Sequence, residues 1–304
     1  MTVKTCDVVV VGEIYIDHVF SGFAAWPGPG EEVTTDAYTR EVGGGAATTA
    51  CGLAKLERSV KLLGLIGAAD AAWITARLGQ FGLGAEGLRV TTSGSTGVTV
   101  SVSTRQDRSF FTHVGVNRSL PDLLLSAGAI ADMTAARHVH IALPLAPAVA
   151  AHILPILASA GCTTSLDVGY QPQWLADPAN TATLTAIDHF LPNEKEAELW
   201  CGSRDEDAFF AQARAQDLKN PMFKQGARGA ATEVSGQRIH ARPPKVEAID
   251  TTGAGDAFDA GFIDALLDGV SPEERLRRAC IVGALSTRVA GALDALPGRE
   301  DIRI

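Results

Sequence analysis

The sequence is short of the features that would place it in an oxidising, membrane or polyanion-bound setting. Five cysteines, Cys6, Cys51, Cys162, Cys201 and Cys280, are scattered through 304 residues without a CxxC pair. An odd, dispersed set argues against a disulfide framework and suits free thiols in a reducing, cytoplasmic compartment. No run of eighteen apolar residues occurs, and the opening MTVKTCDVVVVG has too short an apolar stretch for a signal segment. Neither a membrane span nor a targeting sequence is expected. Basic runs are missing as well: 26 Lys and Arg face 35 Asp and Glu, for a net charge of -9. That balance argues against nucleic acid as a partner.

Several catalytic signatures are also absent. No GK[ST] follows a glycine-rich loop, so there is no Walker-type phosphate loop, and neither GxSxG nor HExxH occurs. GLGAEG, residues 82–87, fits GxGxxG but closes a helical pattern instead of opening one, and reads as a turn. His138 and His140 share one face of a probable strand with no third metal ligand suggested nearby.

What is present is a chain with 46% hydrophobic residues, enough for one large core. DVVVVG near the start is short and β-branched, the pattern of a strand inside a parallel sheet. SVKLLGLIG, HVHIALPL and TTSLDVG read as further strands, and AAWITARLGQFG and AVAAHILPILASAG as helices between them. This alternation predicts a single α/β domain over 1–304, a doubly wound, mostly parallel sheet with helices on both faces. From Glu13 to Val42 the pattern is irregular, with turn chemistry in WPGPGEE, and TGVTVSVSTRQDRSFFTHVGVN reads as a hairpin around RQDR. Residues of about 13–42 and 95–118 are therefore expected to form a small β-sheet lid. Ser271, Pro272 and Glu274 predict a capping box opening the last helix.

The chemistry concentrates in DTTGAGDAFDAGFIDALLDG, where apolar residues recur at helical spacing from about Gly253 and Gly269 stands at the expected end. A helix N-terminus offers unpaired N–H groups and positive partial charge, and glycines let an anion come close to them. Asp256 among these donors is placed to take a proton from a hydroxyl attacking such an anion. On this loop alone, Asp256 and Asp259 serve equally well as acids that complement the helix dipole.

DTTGAGDAF resembles the C-terminal signature of the ribokinase-like carbohydrate kinases, the PfkB family. VVGEIYIDHVFSG, VGGGAATTACGLAKL, DVGYQPQW, NEKE and KQGARG resemble successive blocks of that family in order, so the resemblance covers almost the whole chain. It implies an ATP- and magnesium-dependent sugar kinase with Asp256 as general base and the backbone of Gly253, Ala254 and Gly255 as anion hole. By the same resemblance, Asn193 and Glu196 organise magnesium, while Lys224, Gly226, Gly229 and Thr252 border the nucleotide. Asp17, Gly43 and Gly44 match positions that hold sugar hydroxyls, and Arg108 and Asn117, in the lid hairpin, are expected to point toward the sugar pocket as further substrate-binding residues.

Thr48 stands where the family usually has asparagine, and Gly169 and Gln171 where relatives often carry asparagine and arginine. Loss of a guanidinium at 171 disfavours a sugar-acid acceptor and leaves a neutral pentose or hexose, ribose- or fructose-like, ahead of a nucleoside. A catalytically silent sugar- or nucleotide-binding regulator is the reading from another class. The resemblance further implies a potassium site near VAGALDALP and a homodimer formed through the lid.

Overall fold

The computed structural model describes residues 4–105 and 108–303. Thirteen strands are assigned among them. The first seven are β1 (Cys6–Gly12), β2 (Tyr15–Phe23), β3 (Tyr38–Gly43), β4 (Val60–Gly67), β5 (Leu88–Thr91), β6 (Gly97–Thr104) and β7 (Arg108–His113). The rest are β8 (Ala136–Ala142), β9 (Thr163–Leu166), β10 (His189–Phe190), β11 (Asn220–Lys224), β12 (Ala230–Val234) and β13 (Gln237–Ala241).

Nine strands form one sheet in the order β13-β12-β11-β10-β9-β8-β1-β4-β5, parallel from β11 to β5 and closed at one edge by the antiparallel β11, β12 and β13. The valines of β1 show why the sheet needs two covers: Val8 and Val10 enter one core, while Val9 and Val11 enter the other. Alternate side chains of a strand point to opposite faces, so an unbroken apolar run requires helices on both. Helices Gly45–Lys55, Ala254–Leu267 and Pro272–Leu285 supply buried residues to the first core, and Pro147–Ser159 and Glu206–Ala215 to the second.

A four-stranded sheet, β3-β2-β6-β7, stands apart from the large one. Its outer pairs are antiparallel and its central β2–β6 pair is parallel. The stretch read from sequence as irregular thus holds two strands. Most of β2 is only partly buried, so it carries little of the in-and-out alternation that marks a half-buried strand. Gln106 and Asp107, at the tip of the expected hairpin, lie outside the described residues.

Ser271 caps the helix Pro272–Leu285 by accepting from the Glu274 N–H at 3.3 Å, but no reciprocal bond completes the box. The Glu274 carboxylate instead accepts from Arg277 at 2.7 Å and Arg278 at 3.0 Å. All five cysteines are free, and among the described residues no helix is long and apolar enough to cross a membrane.

Candidate active site

The carboxyl ends of β1, β8, β9 and β11 bring together the segments that follow them, the usual place for a ligand in an open α/β sheet. A cleft of about 250 Å³ lies there, lined among others by Glu13, Tyr15, Gly45, Asp167, Gln171 and Asp256. Three of its lining side chains are carboxylic acids, and no lysine or arginine is among the described lining residues. The cleft is therefore suited to hydroxyl donors and poor for a second anion.

Asp256 reaches the cleft from the first turn of the helix Ala254–Leu267. Gly253 caps that helix in the left-handed region, at φ 73°, and no side chain caps it. A Cβ at Gly253 would come within 2.6 Å of the Ala292 Cβ and 3.2 Å of the Thr48 side chain, so glycine also answers to crowding. The Thr49 hydroxyl donates to the Asp256 carbonyl at 3.0 Å, tying this turn to the helix Gly45–Lys55. Burial, reinforced by the charge of Asp167, pushes the Asp256 carboxyl up to about 7. A carboxylate in that range can take up a proton near neutral pH.

Beneath this turn the Lys224 ammonium donates to Asp167 at 2.6 Å and to Asp259 at 3.2 Å. It also lies 3.5 Å from where a Cβ on Gly255 would stand. Burial alone would lower the lysine, but Asp167, Asp259 and Glu196 outweigh it and hold the ammonium well above its ordinary value. Burial likewise works against the Asp167 carboxylate. Lys224, with hydrogen bonds that include one from the Gly169 N–H at 2.8 Å, overcomes it and brings Asp167 down to about 2. Asp259 is pushed the other way, first by burial and then by the Asp167 charge. One ammonium is thus shared by two carboxyls that their surroundings push in opposite directions.

Carboxylate oxygens of Asp167, Asp256 and Asp259 lie within 4.8 Å of one another. Asp167 and Asp259 were not singled out from the sequence as site residues. A carboxylate directly after the strand TTSL, at a sheet's carboxyl edge, was the available signal. His140 borders the cluster, its Nε2 4.0 Å from Asp259, and burial lowers it to about 4. The Ser165 hydroxyl bridges His140 Nδ1 and His138 Nε2, at 2.8 Å each.

Asn193 and Glu196 close on each other at the start of the helix Glu194–Cys201. Asn193 Oδ1 accepts from the Glu196 N–H at 3.1 Å, and Glu196 Oε2 accepts from the Asn193 N–H at 2.8 Å. Burial, with Asp167 nearby, raises the Glu196 carboxyl to about 7. Gly226 faces open space, whereas a Cβ at Gly229 would collide with the Ala241 carbonyl. Thr252 donates to Asp250 at 2.7 Å and accepts from Arg108 at 3.3 Å, which links the small sheet to the loop before the Asp256 helix. The other Asp250 oxygen accepts from the Gly291 N–H at 3.0 Å, within the VAGALDALP segment.

On the remaining side, a Cβ at Gly43 would overlap the Asp17 carboxylate, and one at Gly44 the Glu13 carbonyl. Burial, and then Glu41, raises Asp17 to about 6. Thr48 is buried against Gly253. Asn117 is buried too, and its amide spans the Ile14 backbone, accepting from the N–H at 3.3 Å and donating to the carbonyl at 3.0 Å. It therefore holds the segment between the cleft residues Glu13 and Tyr15.

A doubly wound sheet whose strand ends bring a partly buried acid to a glycine turn that no side chain caps has the form of an α/β protein with a ligand cleft at its carboxyl edge. The sequence profile of the pfkB family carbohydrate kinases matches residues 6–299, and the chain belongs to that family. A ribokinase of Arabidopsis thaliana is 28% identical over 310 residues, spanning 97% of this chain and 79% of the relative. An ATP-dependent ribose-1-phosphate kinase of Halopiger xanaduensis is 32% identical over 256 residues, 83% of this chain and 82% of that one. The solved structure of Arabidopsis thaliana ribokinase complexed with ribose and ATP matches with a TM-score of 0.89 and 26% identity, covering 99% of this chain and 98% of its own.

Proposed function

We propose that the protein phosphorylates a hydroxyl of a small neutral sugar, ribose- or fructose-like, with ATP and magnesium. The observation that carries this reading is Asp256: a half-buried carboxyl raised to about 7, at the mouth of a helix that no side chain caps, facing an acid-lined cleft. In this reading Asp256 takes the proton from the acceptor hydroxyl as its oxygen attacks in line. The backbone N–H groups of Gly253 and Gly255 would stabilise the charge that develops on the transferred group, with that of Ala254 joining them only on leaving the Thr251 carbonyl, to which it donates at 3.2 Å.

When bound, ATP supplies the phosphoryl group, and magnesium screens its phosphate oxygens. Residues of this chain fit such an occupant. The uncapped turn at Gly253 suits phosphate, and open space at Gly226 leaves room for a nucleotide beside β11. Asn193 and Glu196 spend their bonds on each other, so their part toward magnesium would pass through its waters.

The acceptor follows from the cleft. Asp256 in the cleft, with Asp17 behind it beside Gly43, would offer acceptors for paired hydroxyls, and the lack of lysine or arginine among the described lining residues disfavours a sugar acid or a sugar phosphate. The small sheet would serve as a lid that excludes water. Its outer strand exposes Phe110 and Phe111, where a homodimer contact is proposed.

ADP release measured with ribose, fructose, other neutral sugars, adenosine and guanosine tests this reading. Turnover of a neutral sugar that Asp256→Asn reduces supports it. Turnover of nucleosides alone, or of nothing while ATP still binds, overturns it.

A further inference from the structure

A second and larger cavity, of about 410 Å³, lies outside the cleft where the small sheet joins the large one. Its lining residues include Thr91, Ser93, Ser95, Ser119, His113 and Arg118, with the Thr91 and Ser93 hydroxyls 2.9 Å from each other. Leu65 and Val116 also line it, and no carboxylate is among its described lining residues. In a chain of net charge -9, that absence gives the cavity a character opposite to the acid-lined cleft. Arg118 is exposed and makes no ion pair with a described carboxylate. A guanidinium, an imidazole and four hydroxyls around an acid-free cavity recognise an oxyanion that also bears hydroxyls.

The cavity's position gives binding a consequence. One wall, Ser93 to Ser95, leads into β6, and the other, His113 to Ser119, leaves β7, so an occupant touches both stems of that hairpin. The stems already meet there: Val116 N–H donates to the Ser95 carbonyl at 3.0 Å, and Ser95 Oγ lies 3.3 Å from His113 Nε2. Asn117, between the lining residues Val116 and Arg118, holds the Ile14 backbone that separates Glu13 from Tyr15 in the acceptor cleft. One short turn therefore walls the cavity and fixes the edge of the cleft.

We propose that this cavity binds a small sugar phosphate and that its occupancy changes the affinity of the cleft for the acceptor. The effect on the acceptor rests on the kinase reading above; the binding does not. Coupling of this kind is reciprocal, so acceptor and effector must alter each other's affinity by the same factor.

Calorimetric titration of the full chain with ribose 5-phosphate, inorganic phosphate and ribose, in wild type and Arg118→Glu, tests it. Ribose 5-phosphate should bind the wild type, and Arg118→Glu should weaken that binding by about tenfold or more. With a sugar that is turned over, ribose 5-phosphate should shift the acceptor KM in wild type and not in Arg118→Glu. Equal binding by the two proteins, or no binding, overturns the site. Inorganic phosphate binding as tightly as ribose 5-phosphate overturns the assignment to sugar phosphates. Loss of the site with turnover intact leaves the kinase reading standing, whereas Arg118-dependent binding without turnover of any sugar does the reverse.

Discussion

The Lys224 ammonium lies 2.6 Å from the Asp167 carboxylate, and both side chains are buried. Removing the cation leaves a largely buried carboxylate without its charge partner. Lys224→Met should therefore cost about 3–5 kcal/mol of stability, as read by urea unfolding at pH 7. The pH dependence has a defined sign. Because Asp167 is brought below its unfolded value of about 4, its contribution is present above that pH and lost as pH falls toward about 2. Lys224→Met should flatten this acid limb, and an unchanged limb would show that the pair contributes nothing to folding.

Asp256 makes a separate prediction about rate. A general base acts ionised, so kcat/KM should fall as pH drops through about 7, the value to which burial and Asp167 push this carboxyl. Asp256→Asn should keep ATP binding and lose at least about a hundredfold in kcat. Glu196 is raised into the same range, so Glu196→Gln is the control: the acid limb should survive in it. A limb that disappears with Glu196 and persists in the residual activity of Asp256→Asn reassigns the titrating group.

Much of the fold was readable because the local signals agree with the tertiary structure. The valine run of β1 is buried on both faces, and the helix Ala254–Leu267 begins one residue after a glycine and ends ahead of Gly269. Where the signals failed, the cause is visible. β2 is only partly buried along most of its length, so its sequence lacks a clean period. KQGARG placed Lys224 beside the nucleotide by resemblance but could not show where its side chain points. That depends on Asp167, 57 positions earlier, and Asp259, 35 positions later. Glu274 looked like half of a capping box until two arginines one turn further along took its carboxylate.

Gly45 opens the helix that packs against the Asp256 turn, and a Cβ there would overlap the Asp256 carboxylate. Alanine fits this helical backbone without strain, so Gly45→Ala should fold normally and displace only the acid. A shift of about 1 Å in a reacting group costs roughly a hundredfold in rate. Steady-state kinetics should show that loss in kcat with the ATP KM almost unchanged. Wild-type kcat in this variant would mean that Asp256 moves aside freely and that its position in the cleft is not the productive one.

Asn117 tests whether the edge of the cleft is set from behind. Its amide satisfies both backbone groups of Ile14, and Asn117→Ala leaves an N–H and a carbonyl without those partners in a buried segment. The cost should be about 1–3 kcal/mol, measured by urea unfolding. Because Glu13 and Tyr15 flank Ile14 in the cleft, the loosened segment should raise the acceptor KM while leaving the ATP KM near its wild-type value. Asn117→Asp separates packing from hydrogen bonding. Its carboxylate can accept from the Ile14 N–H but, when ionised, cannot donate to the carbonyl, so its acceptor KM should fall between wild type and alanine. Equal acceptor KM values in all three proteins would uncouple this turn from the cleft.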